Sequence, residues 1–412
     1  MDKILVEFLI FYINFVPKKL YNFFEGGYIM NYRKYGKLGY EVSALGLGCM
    51  RLPRKFENGT ASVDKEKAFE LIRYAATHGI NYFDTAYGYH NQTSESVLGE
   101  ALDGGLRQQV KIATKQPTFA MKTQADIRRN LENTLKKLRT DYIDIYLIHN
   151  IHAACWEEVQ RREIFREYEK FREEGMIKAI GFSYHGGAEL FPKVLAAYPW
   201  DMCQIQQNLL DTDKEATENA ITIAGEKGCA LVIMEPLRGG GLAQAITPVK
   251  TLYDEFPIKR SPVEWAFRHL LNYPQVSTIL SGMTTMEQLK DNIAIFSKPD
   301  AIPGCLSGEE KALLRKVKAA YDAIETIPCT GCEYCMPCPN GVNIPRAFEL
   351  YNDAVRFENF DPFKRAYWFT TSMGADASQC KECGECEEKC PQGIEIINQL
   401  KMVHQALEGW IE

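Results

Sequence analysis

Polar side chains end three apolar segments of this sequence. Asp84 follows NYF, Lys115 ends VKIATK and His149 ends YIDIYLIH, while Tyr89 comes soon after Asp84 in DTAYGY. A lysine ammonium beside a tyrosine stabilises the phenolate and lowers the pKa of the hydroxyl from about 10. A carboxylate such as Asp84 would hold the lysine charged and oriented, and a histidine could donate a hydrogen bond to a substrate oxygen. These residue types suit proton transfer to a carbonyl oxygen while hydride arrives from a nicotinamide.

Each of these residues alone has an ordinary structural explanation. Asp84 could cap a turn, Lys115 could be a solvated charge, Tyr89 could pack in the core and His149 could be a buried histidine with satisfied hydrogen bonds. Their placement at the ends of consecutive apolar segments favours the catalytic interpretation, because such ends can converge on one site.

Two dense groups of cysteines lie near the C-terminus. They are Cys329, Cys332, Cys335 and Cys338 in CTGCEYCMPCP, and Cys380, Cys383, Cys386 and Cys390 in QCKECGECEEKCPQG. Three thiolates spaced two residues apart ligate one 4Fe-4S cluster, and the cysteine before a proline commonly ligates the other cluster of a pair. We therefore expect two clusters, with Cys390 completing the first triplet and Cys338 completing the second. A single cluster on the second group is the minimum expectation.

Zinc and disulfides are the alternatives for these cysteines. Structural zinc sites prefer two pairs of ligands separated by a longer loop, whereas each group here is a triplet followed by one more cysteine. Disulfides are typical of secreted chains, and no secretion signal accompanies this spacing. The sequence therefore predicts iron-sulfur chemistry in a reducing cytoplasm.

The elements that must position the polar residues alternate between strand and helix from about residue 40 to 297. Eight segments have strand character: SALGLG, NYFDTA, VKIATK, YIDIYLIH, IKAIGFS, MCQIQQN, ALVIMEP and VSTILSG. The ends at Asp84, Lys115, His149 and Ser183 are 31, 34 and 34 residues apart, which is about one βαβ repeat. Eight such units predict an α/β protein with a closed (β/α)8 TIM barrel, whose strand ends meet at one rim. An open doubly wound sheet is the alternative, but its glycine fingerprint is missing.

The composition is that of a globular chain. With 46% hydrophobic residues and a net charge of −6 without basic blocks, the chain lacks the charge pattern that nucleic acid binding requires. The apolar segment ILVEFLIFYINFV is too short to span a bilayer, so we expect no membrane partner. The Glu-Gly-Gly before Met30 can be encoded by a ribosome-binding sequence, so we expect translation to start at Met30. An interfacial amphipathic anchor is the alternative for residues 1–29.

Segments distributed over residues 31–296 resemble the aldo-keto reductases. They are NYFDTAYGYHNQTSESVLGEAL, KIATK, DYIDIYLIH, GFSYH, QIQQN, MEPLRGGGLA and SGMTTMEQLKDNI. The resemblance implies a (β/α)8 barrel that binds NADP(H) or NAD(H) across its rim without a Rossmann fold. It also implies that Tyr89 is the general acid and base, that Lys115 tunes it, that Asp84 pairs with Lys115, and that His149 orients the carbonyl.

The resemblance also implies a set of cofactor contacts. The nicotinamide amide would be bound by Ser183 and by Gln206 or Asn208, and the pyrophosphate by Pro236, Leu237 and Gly239. The adenosine end would be bound by Gly282, Met283, Thr284, Gln288 and Asn292. Two residues depart from the family pattern: Met234 replaces an aromatic that stacks on nicotinamide, and Gln288 replaces an arginine common in NADPH-preferring members. The choice between NADPH and NADH therefore stays open.

These observations predict the organisation of the chain. We expect an N-terminal extension over residues 1–29, the barrel over 30–300, a linker and helix over 301–328, a mostly helical ferredoxin-type 4Fe-4S domain over 329–400 and a tail over 401–412. The predicted function is reduction of an aldehyde or ketone, or oxidation of an alcohol, with an electron-transfer protein as a further candidate partner. A nicotinamide-binding redox sensor is the alternative.

Overall fold

The computed structural model describes residues 29–57, 60–212 and 216–410. The predicted N-terminal extension covers residues 1–29. Of these, residues 1–28 lie outside the described residues. Within the described part, no helix is long and apolar enough to cross a membrane.

The described residues contain twelve strands. They are β1 (Tyr32–Lys34), β2 (Glu41–Ser43), β3 (Leu45–Gly48), β4 (Arg54–Glu57), β5 (Thr60–Val63), β6 (Tyr82–Asp84), β7 (Lys111–Gln116), β8 (Ile143–Ile151), β9 (Ile177–Tyr184), β10 (Met202–Gln206), β11 (Ala230–Met234) and β12 (Val276–Ser281). Eight of them close a parallel barrel in the order β3-β6-β7-β8-β9-β10-β11-β12, and β12 returns to β3. This order confirms the predicted (β/α)8 barrel and all eight predicted strands, and the doubly wound alternative is wrong.

The same residues contain fifteen α-helices. They are α1 (Lys65–Thr77), α2 (Ser94–Ala101), α3 (Gln124–Leu138), α4 (Ala153–Arg161), α5 (Ile164–Glu173), α6 (Phe191–Ala197), α7 (Thr217–Glu226), α8 (Thr247–Glu255), α9 (Pro262–Leu271), α10 (Met286–Phe296), α11 (Gly308–Asp322), α12 (Ile344–Arg356), α13 (Asp361–Ser372), α14 (Glu385–Glu388) and α15 (Ile396–Leu407).

The chain forms two compact units. The first comprises Met1–Pro236 and Arg268–Cys305, and the second comprises Leu237–Phe267 and Leu306–Glu412. All eight barrel strands belong to the first unit, whereas both cysteine groups belong to the second.

The barrel has one closed end and one end that carries the polar residues. The antiparallel hairpin of β1 and β2 places Tyr35 and Val42 in the cluster that fills the barrel interior. Gly36 in this hairpin approaches the start of β11 so closely that a Cβ atom there would lie 2.5 Å from the backbone nitrogen of Ala230. The hairpin therefore covers the amino-terminal ends of the strands and leaves the carboxyl ends for the site.

The helices around the barrel bury apolar faces and carry capping residues. Helix α1 buries Ala68, Leu71, Ile72 and Ala75 on one face. Helix α3 begins with a capping box, in which Thr123 and Asp126 satisfy each other's backbone N–H groups. The small antiparallel hairpin of β4 and β5 was not predicted, because its residues show no alternation that separates them from a loop.

The second unit is helical around the cysteines. Helix α11 starts with a capping box between Ser307 and Glu310, and the side chain of Asn343 caps α12 by accepting a hydrogen bond from the backbone of Arg346. The cysteines of both groups lie in loops between these helices, except for Cys386, which lies in the short helix α14.

Candidate functional site

The three strand-end residues face the inside of the barrel. Side chains alternate along a strand, and the interior cluster contains the residue two positions before each of them: Tyr82, Ala113 and Leu147. Asp84, Lys115 and His149 therefore point inward from β6, β7 and β8 at the carboxyl ends of three neighbouring strands. Tyr89 reaches the same position from the segment that follows β6.

Lys115 is the centre of the site. Its side chain is only 1% exposed, and its Nζ donates hydrogen bonds to both carboxylate oxygens of Asp84 at 2.7 and 2.8 Å. It also donates to the backbone oxygen of Thr85 at 2.8 Å and lies 3.4 Å from the hydroxyl oxygen of Tyr89. A buried charge is stable only when it is paired and hydrogen-bonded, and Lys115 meets both conditions.

The ionisation of this group follows from burial and charge. Burial acts to lower the pKa of Lys115, but the Asp84 carboxylate and the Tyr89 oxygen together raise it by more. The pKa of Lys115 therefore lies above its ordinary value, and the ammonium stays charged. Burial raises the pKa of Tyr89, while the Lys115 ammonium opposes the rise. The predicted lowering by Lys115 is therefore present, but burial outweighs it and Tyr89 keeps its proton at neutral pH.

His149 completes the set as a neutral side chain. Burial, with a smaller contribution from the nearby Lys115 ammonium, lowers its pKa to about 3. Its ring meets the ring of Tyr89 edge-on, with centroids 6.3 Å apart. The structure thus brings together all four residues that the sequence analysis selected as catalytic.

The residues predicted to bind nicotinamide occupy the next strands. Ser183 lies on the inward face of β9, one residue before the strand ends, and its Oγ accepts a hydrogen bond from the backbone of Asn150 at 2.8 Å. Gln206 ends β10 and donates to Asp211 at 3.1 Å. Asn208 is fully buried and uses its amide within the protein, donating to Asp211 and to the backbone oxygen of Glu235. Gln206 is therefore better placed for a ligand than Asn208.

Two glutamines that the sequence analysis did not select are buried beside this position. Gln204 pairs with Ser183 across β9 and β10, is 2% exposed and has no partner for its amide oxygen. Gln207 is fully buried, and neither its side-chain oxygen nor its nitrogen has a hydrogen-bond partner. Unsatisfied buried amides are costly, so both are candidates for a carboxamide ligand. The inward position of Gln204, two residues before Gln206, was the signal that could have identified it.

The residues predicted for the adenosine end surround the start of α10. Gly282, Thr284 and Gln288 are exposed, whereas Met283 and Asn292 are buried. The Gln288 amide oxygen accepts hydrogen bonds from the backbone of Thr284 and Thr285, so its side chain forms a capping box. Asn292 donates to Ser281 at 3.0 Å. The five residues therefore lie close together in the chain at the start of α10, where the Gln288 side chain caps the helix.

The residues predicted for the pyrophosphate fall on a tight loop. Pro236 ends the first segment of the barrel unit, while Leu237 and Gly239 belong to the second unit. Three consecutive residues of the loop have left-handed backbones, Arg238 at φ 46°, Gly239 at 66° and Gly240 at 102°. Glycine adopts this conformation without strain, which explains the two glycines.

The eight cysteines of the second unit surround two cavities. One is lined by Cys338, Cys380, Cys383 and Cys386, and the other by Cys329, Cys332 and Cys390, with Cys335 bordering both. This division agrees with the predicted exchange of the fourth ligand between the two groups. None of the thirteen cysteines, all of which lie in the described part of the chain, forms a disulfide, so the disulfide alternative is wrong in this structure.

The donor set fits iron-sulfur clusters better than single ions. Among the described residues, no three His, Cys, Asp or Glu side chains gather closely enough to hold one metal ion. Zinc would require four sulfurs at about 2.3 Å from one point, whereas these sulfurs are distributed around cavities. The backbone N–H of Glu382 also donates to the sulfur of Cys380 at 3.5 Å, a contact that tunes cluster potentials.

Family comparisons agree with both units. Residues 44–301 match the model of the aldo/keto reductase family, and residues 328–395 match that of a 4Fe-4S dicluster domain. The first match covers more than half of the chain. The protein therefore belongs to the aldo/keto reductase family, whose members are NAD(P)H-dependent oxidoreductases, and it carries a C-terminal 4Fe-4S domain.

Individual relatives match the barrel region. A probable aldo-keto reductase 1 from Glycine max is 32% identical over 215 residues, which cover 50% of this chain and 59% of that protein. The chain thus spans less than two thirds of the length of that relative. The uncharacterized oxidoreductase YqkF of Bacillus subtilis is 27% identical over 295 residues, covering 64% of this chain and 90% of that protein.

Solved structures show the same fold. The holo form of aldo-keto reductase AKR11C1 from Bacillus halodurans matches with a TM-score of 0.58 and 26% identity, covering 70% of this chain and 96% of that one. An aldo-keto reductase from Klebsiella pneumoniae, solved in complex with NADPH, matches with a TM-score of 0.56 and 23% identity, covering 70% of this chain and 95% of that one. At this identity the second likeness shows the fold alone.

Proposed function

We propose that the protein reduces an aldehyde or a ketone with NADPH or NADH, or oxidises the corresponding alcohol. The observation that carries this proposal is the contact of one buried ammonium, Lys115, with both the Asp84 carboxylate and the Tyr89 hydroxyl. Membership in the aldo/keto reductase family supports the same reaction class. The buried amides of Gln204 and Gln207, together with Ser183 and Gln206, suit the carboxamide of a nicotinamide.

The side chains divide the proton chemistry between them. Tyr89 keeps its proton because burial raises its pKa, so it can donate that proton to a carbonyl oxygen. The phenolate that results would lie 3.4 Å from the Lys115 ammonium, which stabilises its negative charge. Asp84 keeps Lys115 charged throughout.

His149 orients the substrate in this proposal. A neutral imidazole has one N–H donor, and the low pKa of His149 keeps the ring neutral. The ring can therefore donate to the carbonyl oxygen without adding a charge that would compete with Tyr89 as the acid. A bound nicotinamide supplies the hydride for reduction or accepts it for oxidation.

The cysteine cavities extend the proposal to electron transfer. We assign two 4Fe-4S clusters, one held by Cys329, Cys332, Cys335 and Cys390 and the other by Cys338, Cys380, Cys383 and Cys386. Bound clusters supply one-electron transfer, which fits exchange with an electron-transfer protein. A chain with this reaction class and ligand set suits a reducing compartment such as the cytoplasm.

The test is turnover of a panel of aldehydes and ketones by anaerobically purified protein, with NADPH and NADH compared. We expect oxidation of the reduced nicotinamide that depends on the carbonyl compound. Tight nucleotide binding without turnover on any member of the panel would favour a redox sensor instead. Electron paramagnetic resonance spectra recorded during nucleotide addition would show whether the clusters respond.

A further inference from the structure

One helix of the second unit contacts both the cysteine cavities and the tight loop formed by residues 237–241, which we call the glycine loop. Helix α12 (Ile344–Arg356) begins with Ile344, which lines both cavities, and Phe348 lines the cavity of the first cysteine group. Its other end carries Asp353 and the adjoining Phe357, both of which contact the loop that starts at Arg238. At 1.5 Å per residue, this helix is about 20 Å long.

The contact at the loop is specific. Arg238 and Asp353 are both buried, and the Arg238 Nε donates to the Asp353 Oδ2 at 3.0 Å. The other carboxylate oxygen of Asp353 accepts a hydrogen bond from Arg356. Breaking a buried ion pair leaves an uncompensated charge, so this pair strongly favours one position of the loop.

The second contact lies one helical turn further on. A Cβ atom on Gly241 would come within 2.5 to 2.8 Å of the ring of Phe357, so the loop backbone rests directly on that ring. Phe357 in turn stacks on Phe363 and meets Tyr321 edge-on. Because residues four apart share one face of a helix, Asp353 and Phe357 form a single surface that supports the loop.

The residue next to Asp353 in the same helix binds the segment that leads into the first cysteine group. The Asn352 side chain donates to the backbone oxygen of Ile327 at 2.8 Å and accepts from its backbone nitrogen at 2.9 Å. Ile327 precedes Cys329 by two residues. A displacement of the cysteine segment therefore acts on the same helix that supports the glycine loop.

We propose that helix α12 couples nucleotide binding at the glycine loop to the state of the iron-sulfur clusters, with Asp353 and Phe357 as positioning residues. The proposal rests on the proposed function, because the loop is assigned to the nucleotide pyrophosphate. Coupling between two sites is reciprocal: if cluster reduction changes nucleotide affinity by some factor, nucleotide binding shifts the cluster potential by the equivalent energy. For a one-electron couple, a tenfold factor corresponds to about 59 mV.

The experiment uses ADP-ribose and its 2′-phosphate, which carry the pyrophosphate but no nicotinamide and so exchange no electrons. Their affinities for the oxidised and reduced full-length protein are measured, and the cluster potentials are measured with and without them. In the wild type we expect an affinity ratio of about tenfold and a potential shift that matches it. In Asp353→Asn, we expect weaker binding of both nucleotides, an affinity ratio near one between the oxidised and reduced protein, and no shift of the cluster potentials.

Two further variants separate coupling from general damage. Phe357→Leu removes the ring beneath Gly241 and leaves no buried charge unpaired. This variant should also reduce the affinity ratio, and it provides the test if Asp353→Asn fails to retain its clusters. Asp322→Asn breaks the exposed pair with Lys318 on α11 and should leave both quantities as in the wild type. A wild-type ratio of one, or an unchanged ratio in both positioning variants, would overturn the proposal. Failure of the wild type to bind NADPH, ADP-ribose or its 2′-phosphate would instead contradict the proposed function.

Discussion

The barrel rim and the cysteine region achieve order in different ways. At the rim, Lys115 makes hydrogen bonds to Asp84 and Thr85 that satisfy a buried charge with groups of the protein itself. In the cysteine region, the sulfurs of the two groups border two cavities. The rim site is therefore preorganised by the fold, whereas in the proposed function the thiolates of the cysteine region are held in place by the iron-sulfur groups that they ligate. Loss of clusters should affect the second unit far more than the first.

The largest effect is expected from removing the ligand that the two cysteine groups exchange. Cys338→Ala should abolish the cluster that borders Cys380, Cys383 and Cys386, because that cluster loses its fourth thiolate. Iron content should fall by about half, and the spectrum should match that of Cys380→Ala. Cys305→Ala, a thiol outside both groups, is the matched control. A spectrum that matches Cys329→Ala would show that the fourth ligands are not exchanged.

A large loss of stability is expected at the rim. Lys115→Met leaves the Asp84 carboxylate buried without its partner, which should lower the free energy of unfolding by about 3–5 kcal/mol. Adding Asp84→Asn to this variant should recover much of that loss, as chemical denaturation can show. Lys318→Met, which breaks an exposed pair, should change stability by less than about 1 kcal/mol. Equal losses in the single and double variants would contradict the ion-pair description.

A smaller loss of folding stability is expected from changes at the start of α10. Gln288→Ala removes the side chain that accepts from the backbone of Thr284 and Thr285, which should lower the free energy of unfolding by about 1 kcal/mol. Thr285→Ala removes the same capping box from its other side and should cost a similar amount. Additive losses in the double variant would mean that the two side chains act separately.

The smallest effect is expected from pH. Since the pKa of His149 is lowered to about 3 and that of Tyr89 is raised, neither group changes charge between about pH 5 and 8. The kcat/KM for carbonyl reduction should therefore show no inflection in that range, and it should fall only at high pH as Tyr89 loses its proton. An inflection near neutral pH that disappears in His149→Asn would contradict a neutral imidazole.

The sequence predicted the barrel because short strand-like segments alternate with helices along the chain, and because four consecutive strands end in polar residues at regular spacing. The catalytic candidates Asp84, Lys115 and His149 could be predicted from the sequence for the same reason. The strand alternation that places Gln204 inward was available in the sequence, but the missing hydrogen-bond partners of Gln204 and Gln207 follow from tertiary packing and could not be predicted. The contact of Arg238 with Asp353 joins residues 115 positions apart, and no local pattern encodes it. Burial also decided the sign of the Tyr89 pKa shift, which the choice of neighbouring residues alone did not reveal.

The central claim is that Tyr89 transfers the proton while Lys115, Asp84 and His149 support it. The most direct test is Tyr89→Phe, which removes one oxygen atom and keeps the ring. We predict that kcat for carbonyl reduction falls by about 10²–10⁴-fold, the usual contribution of a general acid, while the Kd for NADPH stays as in the wild type. A variant that turns over at the wild-type rate would contradict this assignment and the mechanism built on it.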